Sequence, residues 1–112
     1  MARLIVSAII EDSIASPGND KDAYLIVNVQ DTEGRPVEGL SMANFEVGSE
    51  VVGAGGSASH INMVRNGKQP GIYVLFLGPS ADTTWKLGVY IWSVRVIKGG
   101  DQGSCLCSCL MD

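Results

Sequence analysis

The stretch that most constrains this chain is Gly71-Ile72-Tyr73-Val74-Leu75-Phe76-Leu77. It is an almost unbroken apolar run that follows Asn66-Gly67-Lys68-Gln69-Pro70 and stops at Gly78-Pro79-Ser80. A run this short, with turn-forming residues on both sides, fits a buried strand rather than a helix. In an extended backbone alternate side chains point to opposite faces. Tyr73, Leu75 and Leu77 therefore share one side, and Ile72, Val74 and Phe76 share the other. Both sides are apolar, so the strand requires cover on both.

The same period of two recurs along the chain, and no window carries a capped 3.6-residue apolar repeat. Arg3 to Glu11 reads as a strand with Leu4, Val6, Ala8 and Ile10 on one face. Ala23 to Gln30 is a second, with Leu25, Val27 and Val29 inward. Ala43 to Val47 is a short strand that sends Phe45 and Val47 to the core, and His60 to Val64 precedes the hairpin dipeptide Asn66-Gly67. Trp85 to Lys98 is the longest, with Tyr90, Trp92, Val94 and Val96 on one side and Val89, Ile91, Ser93, Arg95 and Ile97 on the other. About seven short strands at intervals of about 8–12 residues predict an all-β antiparallel sandwich. A chain of 112 residues holds one domain. Its expected limits are 1–99 for the sandwich and 100–112 for a C-terminal tail containing glycine and cysteine.

Bulk charge narrows the partners. The net charge is -4 and the eight basic residues are scattered singly, so a nucleic-acid partner is not expected. No apolar stretch approaches the ~20 residues needed to span a bilayer, so no transmembrane segment is expected. Leu4 to Ile10 meets Glu11-Asp12 without a small-residue cleavage site and reads as the first strand rather than a leader. The compartment stays open between the cytoplasm and an exported assembly.

Four segments resemble one family in the right order. Val27-Asn28-Val29-Gln30-Asp31-Thr32-Glu33-Gly34-Arg35-Pro36-Val37-Glu38-Gly39-Leu40 is similar to the V-x-V-x-D-x-x-G-x-P-V-x-G-L stretch of bacterial immunoglobulin-like and transthyretin-like sandwich domains. Asn44-Phe45-Glu46-Val47 resembles the strand that follows it there. Gly71-Ile72-Tyr73-Val74-Leu75 resembles their G-x-Y-x-L strand, and Trp85-Lys86-Leu87-Gly88-Val89-Tyr90 the start of their last strand. The resemblance covers roughly residues 20 to 98 and implies an immunoglobulin-like sandwich. Such domains serve as spacers, adhesin segments, accessory modules and polymer subunits, so it leaves the task open. With that fold, Tyr73 is expected to form a tyrosine corner, its ring in the core and its hydroxyl on nearby backbone.

Candidate chemistry is sparse. His60, the lone histidine, has no nucleophile or orienting partner in a recognisable motif and reads as a surface residue. Gly53-Ala54-Gly55-Gly56-Ser57 lacks the following helix and the Lys of a phosphate loop. Asp12, Asp20 and Asp22 offer hard oxygen ligands in one loop, a weak calcium candidate without the rest of an EF-hand pattern. Cys105, Cys107 and Cys109 would point the same way if extended. Three readings of them stay open. They belong to a disordered, partly oxidised tail; they link chains by disulfides or capture a soft metal; or they carry lipid, since Cys109-Leu110-Met111-Asp112 has the outline of a prenylation signal.

The apolar outer surface gives the functional expectation. With the other sets assigned to the core, Ile72, Val74, Phe76, Val89 and Ile91 form an opposite face that a lone sandwich would expose, and such a patch marks a contact surface. Covering about 400 Å² of it contributes about 10 kcal/mol before the costs of association. The chain is expected to be a non-enzymatic structural or protein-interaction module without a cofactor, self-associating as a homo-oligomer or filament-type assembly. The alternative is a sandwich that binds calcium or a glycan through its end loops.

Overall fold

The computed structural model describes residues 2–112. Among these, seven strands form: β1 (Ile5–Glu11), β2 (Ala23–Gln30), β3 (Phe45–Val51), β4 (Ser59–Asn66), β5 (Ile72–Pro79), β6 (Gly88–Lys98) and β7 (Asp101–Met111). A 3₁₀ turn, Met42–Asn44, precedes β3. No helix among the described residues is long and apolar enough to cross a membrane. The strands make two antiparallel sheets, ordered β1-β2-β5-β4 and β3-β6-β7, and the expected all-β sandwich is what forms.

The core lies where the alternation puts it. Leu25, Val27 and Val29 from β2, Tyr73, Leu75 and Leu77 from β5, and Tyr90, Trp92, Val94 and Val96 from β6 are all buried between the sheets. Two glycines let backbones approach where a side chain would not fit. Gly71 has φ +80°, and a Cβ there would sit 2.8 Å from Pro36 Cβ and 2.9 Å from the Val29 carbonyl oxygen. That approach lets Val29 N–H donate to the Gly71 carbonyl at 2.8 Å as the chain enters β5. At Gly103 a methyl group would overlap the Leu4 carbonyl oxygen, so β1 and β7 could not close together with any other residue there.

The C-terminal segment departs from expectation. Residues 101–111 are not a tail but the edge strand β7, paired with β6 from Lys98 opposite Asp101 to Gly88 opposite Met111. The boundary expected at residue 99 therefore falls in the turn between two strands of one sheet. Cys107 and Met111 belong to the core, and Cys105 and Cys109 pack against it. Arg3 forms a parallel bridge with Gln102, and Leu4 N–H donates to the Gln102 carbonyl at 2.9 Å, which stitches the two sheets along one side.

Buried polar groups are paired; among the described residues no buried side-chain nitrogen or oxygen lacks a partner. The Tyr73 hydroxyl donates to the Val37 carbonyl at 2.7 Å and accepts from Leu40 N–H at 3.3 Å. Its ring is in the core as expected, but it ties down the irregular segment after β2 rather than a local corner. The local corner belongs to Tyr90, whose oxygen accepts from Lys86 N–H, four residues earlier, at 2.9 Å. Trp85 was expected to open the last strand. It precedes β6 in a loop, yet it is buried against Tyr90 and donates from Nε1 to the Lys21 carbonyl at 2.6 Å.

Candidate functional site

The outer face of the four-stranded sheet is built from residues two apart on each strand, and the pairing registers line them up. Ile9 of β1 stands opposite Ile26 of β2, Ile26 opposite Val74 of β5, and Val74 opposite Arg65 of β4. The neighbouring row is Glu11, Tyr24, Phe76 and Met63, and the row on the other side carries Ser7, Asn28 and Ile72. Ile26, Ile72, Val74 and Phe76 are half-buried by their neighbours, while Ile9 is 64% exposed. Tyr24 packs on Phe76 with ring centroids 4.8 Å apart, and the Arg65 guanidinium carbon lies 5.4 Å from the centre of the Phe76 ring. That position suits a cation above an aromatic face.

The edges of this face carry opposite charge. Glu11 stands on the β1 side, with Arg65 and then Lys68 of the β4–β5 turn on the other. Between Glu11 and Lys68 lies a depression of about 480 Å³ floored by Ile26, Ile72 and Val74. The turn is held over the sheet end by Gly67 N–H donating to the Ile72 carbonyl at 2.7 Å. The ion pairs among the described residues are Arg35–Asp31, Arg35–Glu33 and Arg95–Glu46. Glu11, Arg65 and Lys68 take part in none of them.

This arrangement corrects the expected five-residue patch. Ile72, Val74 and Phe76 do share a face. Val89 and Ile91 belong to β6, in the facing sheet, so their outward side lies across the whole thickness of the sandwich. There Val89 stands opposite Leu110, Ile91 opposite Ser108 and Ser93 opposite Leu106. The leucines are exposed but alternate with serines. The charges of this second face are already matched, since Arg95 lies 3.6 Å from Glu46 and donates to Gln102 Oε1 at 2.6 Å.

The other candidates are placed as follows. Asp12 and Asp20 are exposed, and Asp22 accepts a hydrogen bond from Asn62 Nδ2 at 2.7 Å. Among the described residues no three His, Cys, Asp or Glu side chains converge as a metal site, so neither the acidic loop nor the thiols assemble one. His60 is exposed on β4. Two N–H groups of the glycine-rich turn are taken up locally: Ala54 donates to the Leu87 carbonyl and Gly56 to the Gly53 carbonyl. The three cysteines are free and share the inward side of β7. Burial, reinforced by Cys105 and Cys109 on either side, pushes the Cys107 thiol up to about 11, and burial also raises Cys105 and Cys109. Raised in this way, the thiols are more fully protonated than a free cysteine, which lowers their nucleophilic reactivity.

Sequence reasoning missed Ile9, Ile26, Glu11, Arg65 and Lys68 as parts of the face. A signal existed: β1 and β2, like β5, carry isoleucine on the side opposite their core residues. No family model matches the chain, and neither curated proteins nor solved structures give a match.

Proposed function

We propose that the chain is a non-enzymatic structural or protein-interaction module, an immunoglobulin-like sandwich that self-associates through a sheet face as a subunit or scaffold domain. The observation that carries this reading is the apolar row Ile9–Ile26–Val74, which crosses three neighbouring strands on a side turned to solvent. The outward face of an antiparallel sheet in a lone sandwich is ordinarily polar, and an apolar one is stabilised by covering it.

Three features support the immunoglobulin-like assignment. The sheets β1-β2-β5-β4 and β3-β6-β7 follow the four-plus-three strand order of the constant-type immunoglobulin domain. Tyr90, near the start of the sixth strand, bonds backbone four residues earlier, as a tyrosine corner does. The Val27 to Leu40 segment carries the sequence resemblance. Where such a domain would place its second disulfide cysteine, two residues after the corner tyrosine, this chain has Trp92. Packing replaces the cross-link at that point.

Light scattering on the eluting protein, over a wide range of loading concentrations, tests the reading. The expected result is a mass that rises above the 11.8 kDa of the single chain as concentration increases. A single 11.8 kDa species at all concentrations would overturn it.

A further inference from the structure

We infer that the partner of the β1-β2-β5-β4 face is the same face of a second copy, related by a two-fold axis that lies in the interface parallel to the strands. This inference rests on the proposed self-association and specifies its geometry. The argument comes from how charge is distributed across the face. The β1 edge is acidic at Glu11 and the β4 edge is basic at Arg65 and Lys68, with apolar residues between them. A rotation about an axis along the strands exchanges the two edges. It lays β1 over the partner's β4 and β2 over its β5.

In that arrangement Ile26 meets the partner's Val74 and Tyr24 meets the partner's Phe76. Glu11 stands one row from the partner's Arg65, a step of about 6.8 Å along a strand, within reach of two long side chains. The contact occurs twice, once on each side of the axis, as an isologous interface demands. Among the described residues no intramolecular ion pair competes for these charges, whereas on the opposite sheet Arg95 is already engaged with Glu46. Charge complementarity of this kind sets register and partner choice more than raw affinity. A two-layer stack about 10 Å apart is also the ordinary spacing of packed sheets. The face spans four strands, on the order of 400 Å² in projection, against about 800 Å² of surface per partner in a standard interface. The dimer is therefore weak and depends on concentration.

Charge reversal tests the geometry. Glu11→Lys alone sets two cations against each other at both contacts, and Arg65→Glu alone sets two carboxylates against each other. Each is expected to weaken dimerisation by about tenfold or more. An equimolar mixture of the two single variants restores opposite charge at one contact as lysine against glutamate and at the other as Glu11 against Arg65. Sedimentation equilibrium should then show a mixed dimer tighter than either variant alone, and the double variant Glu11→Lys/Arg65→Glu should recover association. Ile9→Ser should weaken it and Leu110→Ser should not. Thermal melts of each variant establish that it is folded, and all these positions lie on the surface. If the natural chain associates but the reversals leave it unaffected, or Leu110→Ser alone dissociates it, this geometry is wrong while the module reading stands. If the natural chain is monomeric throughout, both fall.

Discussion

β6 and β7 are neighbours in one sheet, equal in length and paired along it, yet they fill the core with opposite chemistry. The inward side of β6 carries Tyr90, Trp92, Val94 and Val96, all fully buried. Tyr90 and Trp92 stack with ring centroids 5.9 Å apart and Trp85 packs edge-on against both. Each polar tip has a partner, with Trp92 Nε1 donating to Ser59 Oγ at 3.0 Å. The inward side of β7 carries Gly103, Cys105, Cys107, Cys109 and Met111. These are small or soft groups, and two of the three thiols are only partly covered. A central strand must bridge the sheets with large, directed side chains. An edge strand beside the β1 seam has little depth to fill, and bulk there would push the sheets apart.

The contrast can be broken in order of expected effect. Trp92→Ala removes the stack and leaves buried Ser59 without its donor, and should cost about 3–5 kcal/mol in urea unfolding. Tyr90→Phe keeps the ring but leaves Lys86 N–H without its acceptor, and should cost about 1–3 kcal/mol. Cys107→Ala should cost about 1 kcal/mol, the scale of losing one methyl-sized buried group. A Cys107→Ala loss as large as that of Trp92→Ala would erase the distinction between the strands.

The smallest effects concern the thiols' protons. The Cys107 thiol is raised from 9.0 to about 11 in the folded chain, so the unfolded chain releases that proton first as pH rises. Between those values the folded state binds more protons and stability falls. Unfolding titrations under reducing conditions should show the fall to be smaller in Cys107→Ala than in the natural chain. At pH 8 the thiolate fraction of Cys107 is about a hundredfold below that of an unshifted thiol. Mass spectrometry after brief alkylation should then find Cys107 the least modified of the three, and the difference should vanish in urea.

Much of this fold was legible because β2, β5 and β6 alternate cleanly. Leu25, Val27, Val29, Tyr73, Leu75, Leu77, Tyr90, Trp92, Val94 and Val96 all fall inward as the period of two requires. β7 was hidden because its alternation runs backwards. Its leucines, Leu106 and Leu110, face solvent while glycine and cysteine face the core, so a hydrophobic pattern finds no inward set. The candidate face was half legible for a different reason. Period two tells which residues share a side of a strand, but not which sheet the strand joins. β5 and β6 are consecutive and both two-sided, yet the chain crosses between sheets at Ser80 to Leu87, and that crossing separated Val89 and Ile91 from Ile72, Val74 and Phe76. Glu11 and Arg65 are far apart in sequence, and only the registers of three strand pairs place them on opposite margins of one surface.

The β1–β7 seam sets how the molecule would carry mechanical load. Residues 2–4 are bonded to 101–102, and β7 then runs parallel to β1 and finishes opposite Gly88. A force drawn between residues 2 and 112 would pull along both strands at once. The bonds of residues 2–4 to 101–102 would be loaded together in shear instead of opening one after another like a zip. A chain strung end to end through this domain would meet its firmest resistance at Leu4, Gln102 and the glycine that lets them touch.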